Sequence, residues 1–337
     1  MSRSSGPRSF QASAPVRLDL AGGWTDVAPF ADREGGQVIS AAITLRVFAE
    51  FEPGGIGLLL RAEDLGQAER VAGPAELSSA DGLLPLHKAA LRMFPAGSGT
   101  LRTRSQVPPG SGLGSSGALD VALVAVLAAA RGEELSPDEI AALGFELEAR
   151  EAGLPGGRQD QYSAALGGFN RLSFKGEVVG IEALALDPEF QAELERRIVI
   201  CYTGRSRVSG DTIARVMGAY DRGDPAVTGA LRQLAELAGE MAGALLAADL
   251  ARVGRLLSSN WSAQQRLDRQ MATPEMVALE QALGAAGALG GKAAGAGAGG
   301  CMFFLAGDDA DRIRAAAKVA GAIVLPAGWS STGVELC

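Results

Sequence analysis

The sequence predicts an α+β protein built as two units. Three observations carry this. The chain has 337 residues, and a domain takes roughly 100–200 of them. Its first half mixes strand-like and helical stretches and closes on a hairpin pattern at 168–185. A fresh strand, RRIVICYTG at 196–204, then opens a second half with an antiparallel pattern of its own. The boundary falls after residue 193, giving units 1–193 and 194–337.

Residues 14–23, APVRLDLAGG, alternate apolar and polar and reach a glycine pair, the pattern of a strand entering a tight turn. The Val, Ile, Thr and Phe content of 36–52 predicts one or two further strands, with others at 56–60 and 99–107. An amphipathic helix at 84–94 carries His87, which is read as facing the surface or a groove. A Pro/Gly loop from 107 opens a helix that is apolar nearly all round and therefore buried. Ser136, Pro137 and Asp138 start the next helix, which carries Glu146 and Glu148 and stops at GLPGG, 153–157. After 204 come helical stretches at 209–221, 225–247 and 250–268. A Gly/Ala-rich loop at 290–300, a strand at 301–307, a helix at 308–319 and a terminal strand at 322–326 complete the reading.

Composition excludes several classes. Lys+Arg 31 against Asp+Glu 39 leaves a net charge of -8, which disfavours a general nucleic-acid binder. Cys201, Cys301 and Cys337 form no CxxC pair, so no structural zinc site or disulfide framework follows. The single histidine excludes a multi-His metal centre. The first ten residues lack an apolar core, and the Ala/Leu/Val run at 118–130 is interrupted by Asp120 and too short for a membrane span. A cytoplasmic setting without membrane partners is expected.

Glycine is abundant, 46 residues, and clustered. Pro109-Gly110-Ser111-Gly112-Leu113-Gly114-Ser115-Ser116-Gly117 precedes the buried helix. Successive small residues let backbone N–H groups converge, and the helix N-terminus adds partial positive charge. This is either an anion cradle, most naturally for phosphate, or a flexible loop before a helix cap. Gly112-x-Gly114-x-x-Gly117 matches a dinucleotide-binding pattern, but Pro108-Pro109 precede it and helices follow, so no βαβ unit surrounds it. The GxxxxGK[ST] loop is absent. The second glycine loop could hold the far end of one phosphate-bearing ligand or act as its lid. Between the loops lie Glu148 and Asp160, which are either surface charges or the carboxylates that phosphoryl transfer needs near Mg²⁺ and near an acceptor hydroxyl.

Three segments in this order resemble the GHMP small-molecule kinases: VRLDLAGGWTD (16–26), PPGSGLGSSG (108–117) and GKAAGAGAGG (291–300). Within that superfamily the chain is most similar to the D-glycero-D-manno-heptose 7-phosphate kinase and L-fucokinase branch. The carrying segments are GGQVISAAI (35–43), PGGRQDQYSAALGGFN (155–170), YTGRSRVSGDTI (202–213) and NWSAQQRLDRQMATPEM (260–276). The resemblance implies a GHMP kinase-like two-domain fold, with an N-terminal half like the second domain of ribosomal protein S5 and a ferredoxin-like C-terminal half. It implies a sugar kinase, monomeric or homodimeric, that uses ATP and Mg²⁺ on a sugar or sugar phosphate.

The implied roles are residue by residue. Asp160 is the catalytic base or orienter of the sugar hydroxyl, and Arg17 is its basic partner. Pro109, Gly110, Ser111, Gly112, Leu113, Gly114, Ser115 and Ser116 form the ATP phosphate loop. Glu148 and Ser116 hold Mg²⁺. Asp26, Gly295 and Gly297 bind the acceptor. Trp24 either packs on a sugar face or serves core or hinge packing, and Arg205, Arg207 and Lys88 are either partners of a substrate phosphate or plain surface charges. The acceptor hydroxyl is expected at the anomeric position of the heptose 7-phosphate or of a 6-deoxyhexose such as L-fucose.

Departures qualify the likeness. Ala298 stands where the family usually has Gly, Gly23 stands where several sugar kinases carry Glu, and Trp24 stands where the heptose kinases are expected to carry a third Gly. Two other readings are compatible with the scaffold: an ATP-using diphosphate decarboxylase, and a sugar- and ATP-binding regulator without turnover.

Overall fold

The computed structural model describes residues 9–72, 74–77, 83–205 and 210–337. The first unit rests on one eight-stranded sheet. Its spine is β1 (Phe10–Ala21) against β2 (Gly36–Pro53), joined through a short helix, α1 (Phe30–Arg33). The Val/Ile/Phe-rich stretch makes one long strand, and β2 is long enough to pair along its other edge with two partners. Its start takes β6 (Phe169–Lys175), and its end takes β5 (Gly99–Ser105). Beyond β5 lie β3 (Leu58–Ala62), parallel to it, and β4 (Gln67–Val71); β7 (Val178–Ala183) extends the sheet past β6.

Helices pack on this sheet. After α2 (Pro74–Leu77) and α3 (Pro85–Met93), α4 (Ser115–Ala130) packs on β1 and β2. Its residues from Gly117 to Ala128 are buried apart from Leu119, which fits a helix without a polar face. α5 (Pro137–Glu146) begins with a capping box, Ser136 with Glu139, and Pro137 at its first turn. It runs into a π-helical turn, Leu147–Glu151, and α6 (Gln159–Leu166) then packs on α4 and α5.

α7 (Pro188–Arg197) leads into the second unit, a four-stranded antiparallel sheet in the order β11-β8-β10-β9. Its strands are β8 (Ile198–Tyr202), β9 (Ala288–Ala293), β10 (Cys301–Ala306) and β11 (Ile323–Leu325). Its helices are α8 (Gly210–Asp221), α9 (Pro225–Leu246), α10 (Leu250–Gln265), α11 (Pro274–Ala285) and α12 (Ala310–Val319). α10 packs on β9 and α9, while α9 also reaches β1 and β2, so the halves share a continuous core. A last short strand, β12 (Glu335–Leu336), returns to the edge of β1. The division after residue 193 stays a proposal, with this tail crossing back to the first sheet.

Several elements differ from the sequence reading. The glycine segment at 290–300 is a loop only from residue 294 on; its first part is β9, hydrogen-bonded to β10. There glycine serves close packing: a Cβ on Gly290 would lie 1.8 Å from Gly254 O in α10. His87 is not on a surface or groove but 2% exposed, because α3 turns Leu86 to Leu91 inward. Its Nε2 lies 2.8 Å from Thr103 Oγ1, and burial pushes its pKa down to about 4. Among the described residues, no helix is long and apolar enough to cross a membrane.

Candidate active site

The loop before α4 has the backbone its glycines predict. Gly110, Gly112 and Gly114 lie at φ +67°, +77° and +79°, a region that L side chains disfavour. Gly114 occupies the N-cap position and no side chain caps the first turn of α4. The first N–H groups of the helix are therefore left for a bound anion. A Cβ on Gly112 would stand 2.5 Å from Ala294 O, and one on Gly295 2.6 Å from Gly112 O. The two glycine loops thus touch backbone to backbone, and Cys301 N donates to Ser111 O at 2.7 Å.

Beside this junction Arg17 reaches from β1 to Asp160 in the first turn of α6. Its Nε donates to Asp160 Oδ1 at 2.8 Å, its Nη2 lies 2.6 Å from the same oxygen, and its Nη1 donates to Gly112 O at 2.8 Å. Arg17 is buried, while the Asp160 side chain keeps 23% of its surface. Burial works against the Arg17 charge, but the Asp160, Asp19 and Asp26 carboxylates outweigh it and raise its pKa.

Glu148 sits on the π-helical turn, a feature that recurs at functional sites. Its Oε2 accepts from Gln161 Nε2 at 2.7 Å, and the Ser116 hydroxyl bonds to it. Burial, then the charge of Asp160, raises its pKa to about 7. Gln161 Nε2 also lies 3.3 Å from Asp120 Oδ2 on α4. Asp120 is wholly buried, and burial with the Glu148 charge lifts it well above the carboxylate range. A hydroxyl and a carboxylate facing a phosphate cradle form an all-oxygen donor set, which suits Mg²⁺ completed by phosphate and water.

Asp26 lines the same cleft and is held by Gln159, the neighbour of Asp160. Its Oδ2 accepts from Gln159 N at 3.0 Å and its Oδ1 from Gln159 Nε2 at 3.1 Å. Burial raises its pKa to about 6 against the pull of the Gln159 backbone bond. Gly157 packs on it so closely that a Cβ there would stand 1.9 Å from Oδ2. Trp24 has φ +82°, an outlier for a bulky residue and the conformation that a third glycine would adopt freely. It is 4% exposed.

These residues line one cleft of about 350 Å³: Arg17, Trp24, Asp26, Glu148 and Asp160, with Gly110, Gly112, Gly114, Ser115 and Ser116 from the first loop and Gly295 and Gly297 from the second. Other expected residues stand outside it. Pro109 is exposed at the loop start. Ser111 and Leu113 are wholly buried, their carbonyls accepting from Cys301 N and Arg17 N, so they brace the loop. Arg205 is exposed and pairs with Glu275 at 3.0 Å. Lys88 is buried and pairs with Glu69 at 2.7 Å. Arg207 lies outside the described residues.

Sequence reasoning missed the residues that support these groups. Gln159 and Gln161 flank Asp160 in the QDQ triplet, and their one signal was that adjacency. Asp120, Asp19 and Lys292 are buried charges with no local signature; Asp120 was visible only as the break in an apolar run.

The sequence matches the family description for the GHMP kinases N terminal domain over residues 85–168 and that for the GHMP kinases C terminal over residues 241–322. It is 30% identical over 304 residues to the D-glycero-alpha-D-manno-heptose 7-phosphate kinase of Campylobacter jejuni, covering 88% of this chain and 89% of that protein. It is 30% identical over 324 residues to a bifunctional fucokinase/GDP-fucose pyrophosphorylase of Arabidopsis thaliana, covering 90% of this chain and 30% of that protein. Among solved structures, a D-glycero-D-manno-heptose 1-phosphate kinase from Bacteroides thetaiotaomicron superposes with a TM-score of 0.75 at 25% identity, covering 97% of this chain and 98% of that one.

Proposed function

From the premise that the chain belongs to the GHMP kinases, phosphotransferases acting on hydroxyl groups, we propose that it is an ATP- and Mg²⁺-dependent sugar kinase. Its acceptor is the anomeric hydroxyl of D-glycero-D-manno-heptose 7-phosphate. The observation that carries this reading is the convergence of the Arg17–Asp160 pair, the uncapped start of α4 and Glu148 on one cleft.

The roles follow from charge and position. The N–H groups of Gly110, Gly112, Gly114, Ser115 and Ser116 receive the ATP phosphates, while those of Ser111 and Leu113 bond within the loop. Glu148 and Ser116 hold Mg²⁺, which neutralises charge on the transferring group when bound. Asp160 accepts a hydrogen bond, then the proton, from the acceptor hydroxyl. Arg17 fixes that carboxylate by two donors on one oxygen and adds positive charge beside the transferring group. Asp26, Trp24, Gly295 and Gly297 contact the sugar, and Arg205, outside the cleft lining, reaches a 7-phosphate only by leaving Glu275.

A second reading, transfer to L-fucose or another 6-deoxyhexose, is favoured by two observations. Trp24 lines the cleft, and Arg17 is the one Lys or Arg lining it among the described residues. A substrate without its own phosphate needs no further cation there.

Phosphorus NMR of the product separates the two. Mg·ATP with the heptose 7-phosphate is expected to give a second phosphate resonance coupled to the anomeric proton. Unchanged heptose 7-phosphate after full incubation, beside an anomeric phosphate formed on L-fucose, would overturn the first reading in favour of the second.

A further inference from the structure

Behind Arg17 lies a second buried pair that joins the two units. Asp19 is two residues along β1 and so on the same face as Arg17. Lys292, on β9, donates from Nζ to Asp19 Oδ1 and, at 2.7 Å, to Asp19 O. The two side chains are 0% and 1% exposed. Gly23 closes on the Asp19 carboxylate, since a Cβ there would stand 2.2 Å from Oδ2.

Four charges therefore alternate through the interior: Lys292, Asp19, Arg17, Asp160. The contacts also close a ring. Arg17 Nη1 donates to Gly112 O, Gly295 packs on that same carbonyl, and Gly295 follows Lys292 by three residues. In a dry interior a charge without a partner is far costlier than a paired one, so each ion takes the best counter-ion available. Arg17 grips Asp160; of the two other carboxylates that act on it, Asp26 is held by Gln159 and Asp19 by Lys292.

We propose that Lys292 is a positioning residue: by occupying Asp19 it commits Arg17 to Asp160, and so couples the second glycine loop to the carboxylate that receives the acceptor proton. The inference rests on the roles of Arg17 and Asp160 given under Proposed function. Lys292 touches no reacting atom; it acts through the choice it leaves to Arg17.

The test is steady-state kinetics of Lys292→Met and of the double variant Asp19→Asn/Lys292→Met, with Mg·ATP and the best wild-type acceptor. Lys292→Met frees Asp19 to draw Arg17 away, and kcat is expected to fall about a hundredfold with both Michaelis constants unchanged. The double variant removes both charges, takes away Asp19 as a competitor for Arg17, and is expected to recover kcat to within about threefold of wild type. Wild-type kcat in Lys292→Met, or a double variant no better than the single one, would overturn the proposal. Should Lys292→Met fail to fold, Lys292→Gln, which keeps a donor for the Asp19 carbonyl without the charge, is read the same way. Asp160→Asn serves as the control. Its turnover near wild type would overturn the underlying roles and this inference with them. An inactive Asp160→Asn beside a fully active Lys292→Met would overturn this inference alone.

Discussion

Gly117 in the first turn of α4 and Asp160 in the first turn of α6 are in direct contact: a Cβ on Gly117 would stand 2.5 Å from Asp160 Cβ. The approach of the two helix starts is what brings the Asp160 carboxylate to the phosphate loop. Gly117→Ala is expected to push α6 outward and to lower kcat by about a hundredfold, since displacements near 1 Å carry costs of that order. Wild-type kcat in a folded Gly117→Ala protein would show that this contact does not position the carboxylate.

Asp160→Asn keeps the shape of the side chain and removes its basicity. It is expected to abolish ADP formation while calorimetric ATP affinity stays near wild type. Turnover near wild type would remove Asp160 from the chemistry.

Glu148→Gln and Ser116→Ala each remove one oxygen donor facing the cradle. Each is expected to raise the Mg²⁺ concentration for half-maximal turnover at least about tenfold. A Mg²⁺ titration unmoved in both variants would place the cation elsewhere.

Asp26 and His87 give opposite pH dependences of stability. Asp26 is raised in the fold, from 3.8 to about 6, so its contribution is present below about pH 4 and lost as pH rises through 6. His87 is lowered, from 6.5 to about 4, so its contribution is present above 6.5 and lost as pH falls through 4. Each is worth roughly 3 kcal/mol, and across this window they offset each other. Relative to wild type, Asp26→Asn is expected to gain stability as pH rises from 4 to 6.5, and His87→Asn to lose it. Urea unfolding at several pH values checks this; curves parallel to wild type would contradict it.

Ala298 lies at φ +61°, the conformation its family position implies. Ala298→Gly is expected to relieve about 1 kcal/mol of backbone strain and raise Tm by about 1–2 °C. A lower Tm would show that the loop draws its stability from the Ala methyl.

Much of this was legible in the sequence because the signals are local. The glycine spacing of 110–117 dictates a loop with positive φ, and the apolar run behind it dictates a buried helix. β9 was not legible, because its Gly290-Gly291 pair reads as loop until α10 and Phe304 are seen to need the space. The Asp19–Lys292 pair spans 273 residues and has no periodicity. Trp24 reads in sequence as either a sugar platform or a packing residue, and only its φ reveals that the backbone there suits glycine. Arg205 carried the right charge for a substrate phosphate, but its pairing with Glu275 depends on packing that a motif does not encode.

Phosphoryl transfer to a sugar is read out by ADP release with Mg·ATP across a small acceptor panel. The panel holds D-glycero-D-manno-heptose 7-phosphate, sedoheptulose 7-phosphate, L-fucose, D-mannose and D-galactose. Turnover on the heptose phosphate is expected well above that on all the others. Turnover on L-fucose alone would favour the second acceptor, while ATP binding without ADP release on any sugar would contradict the kinase reading.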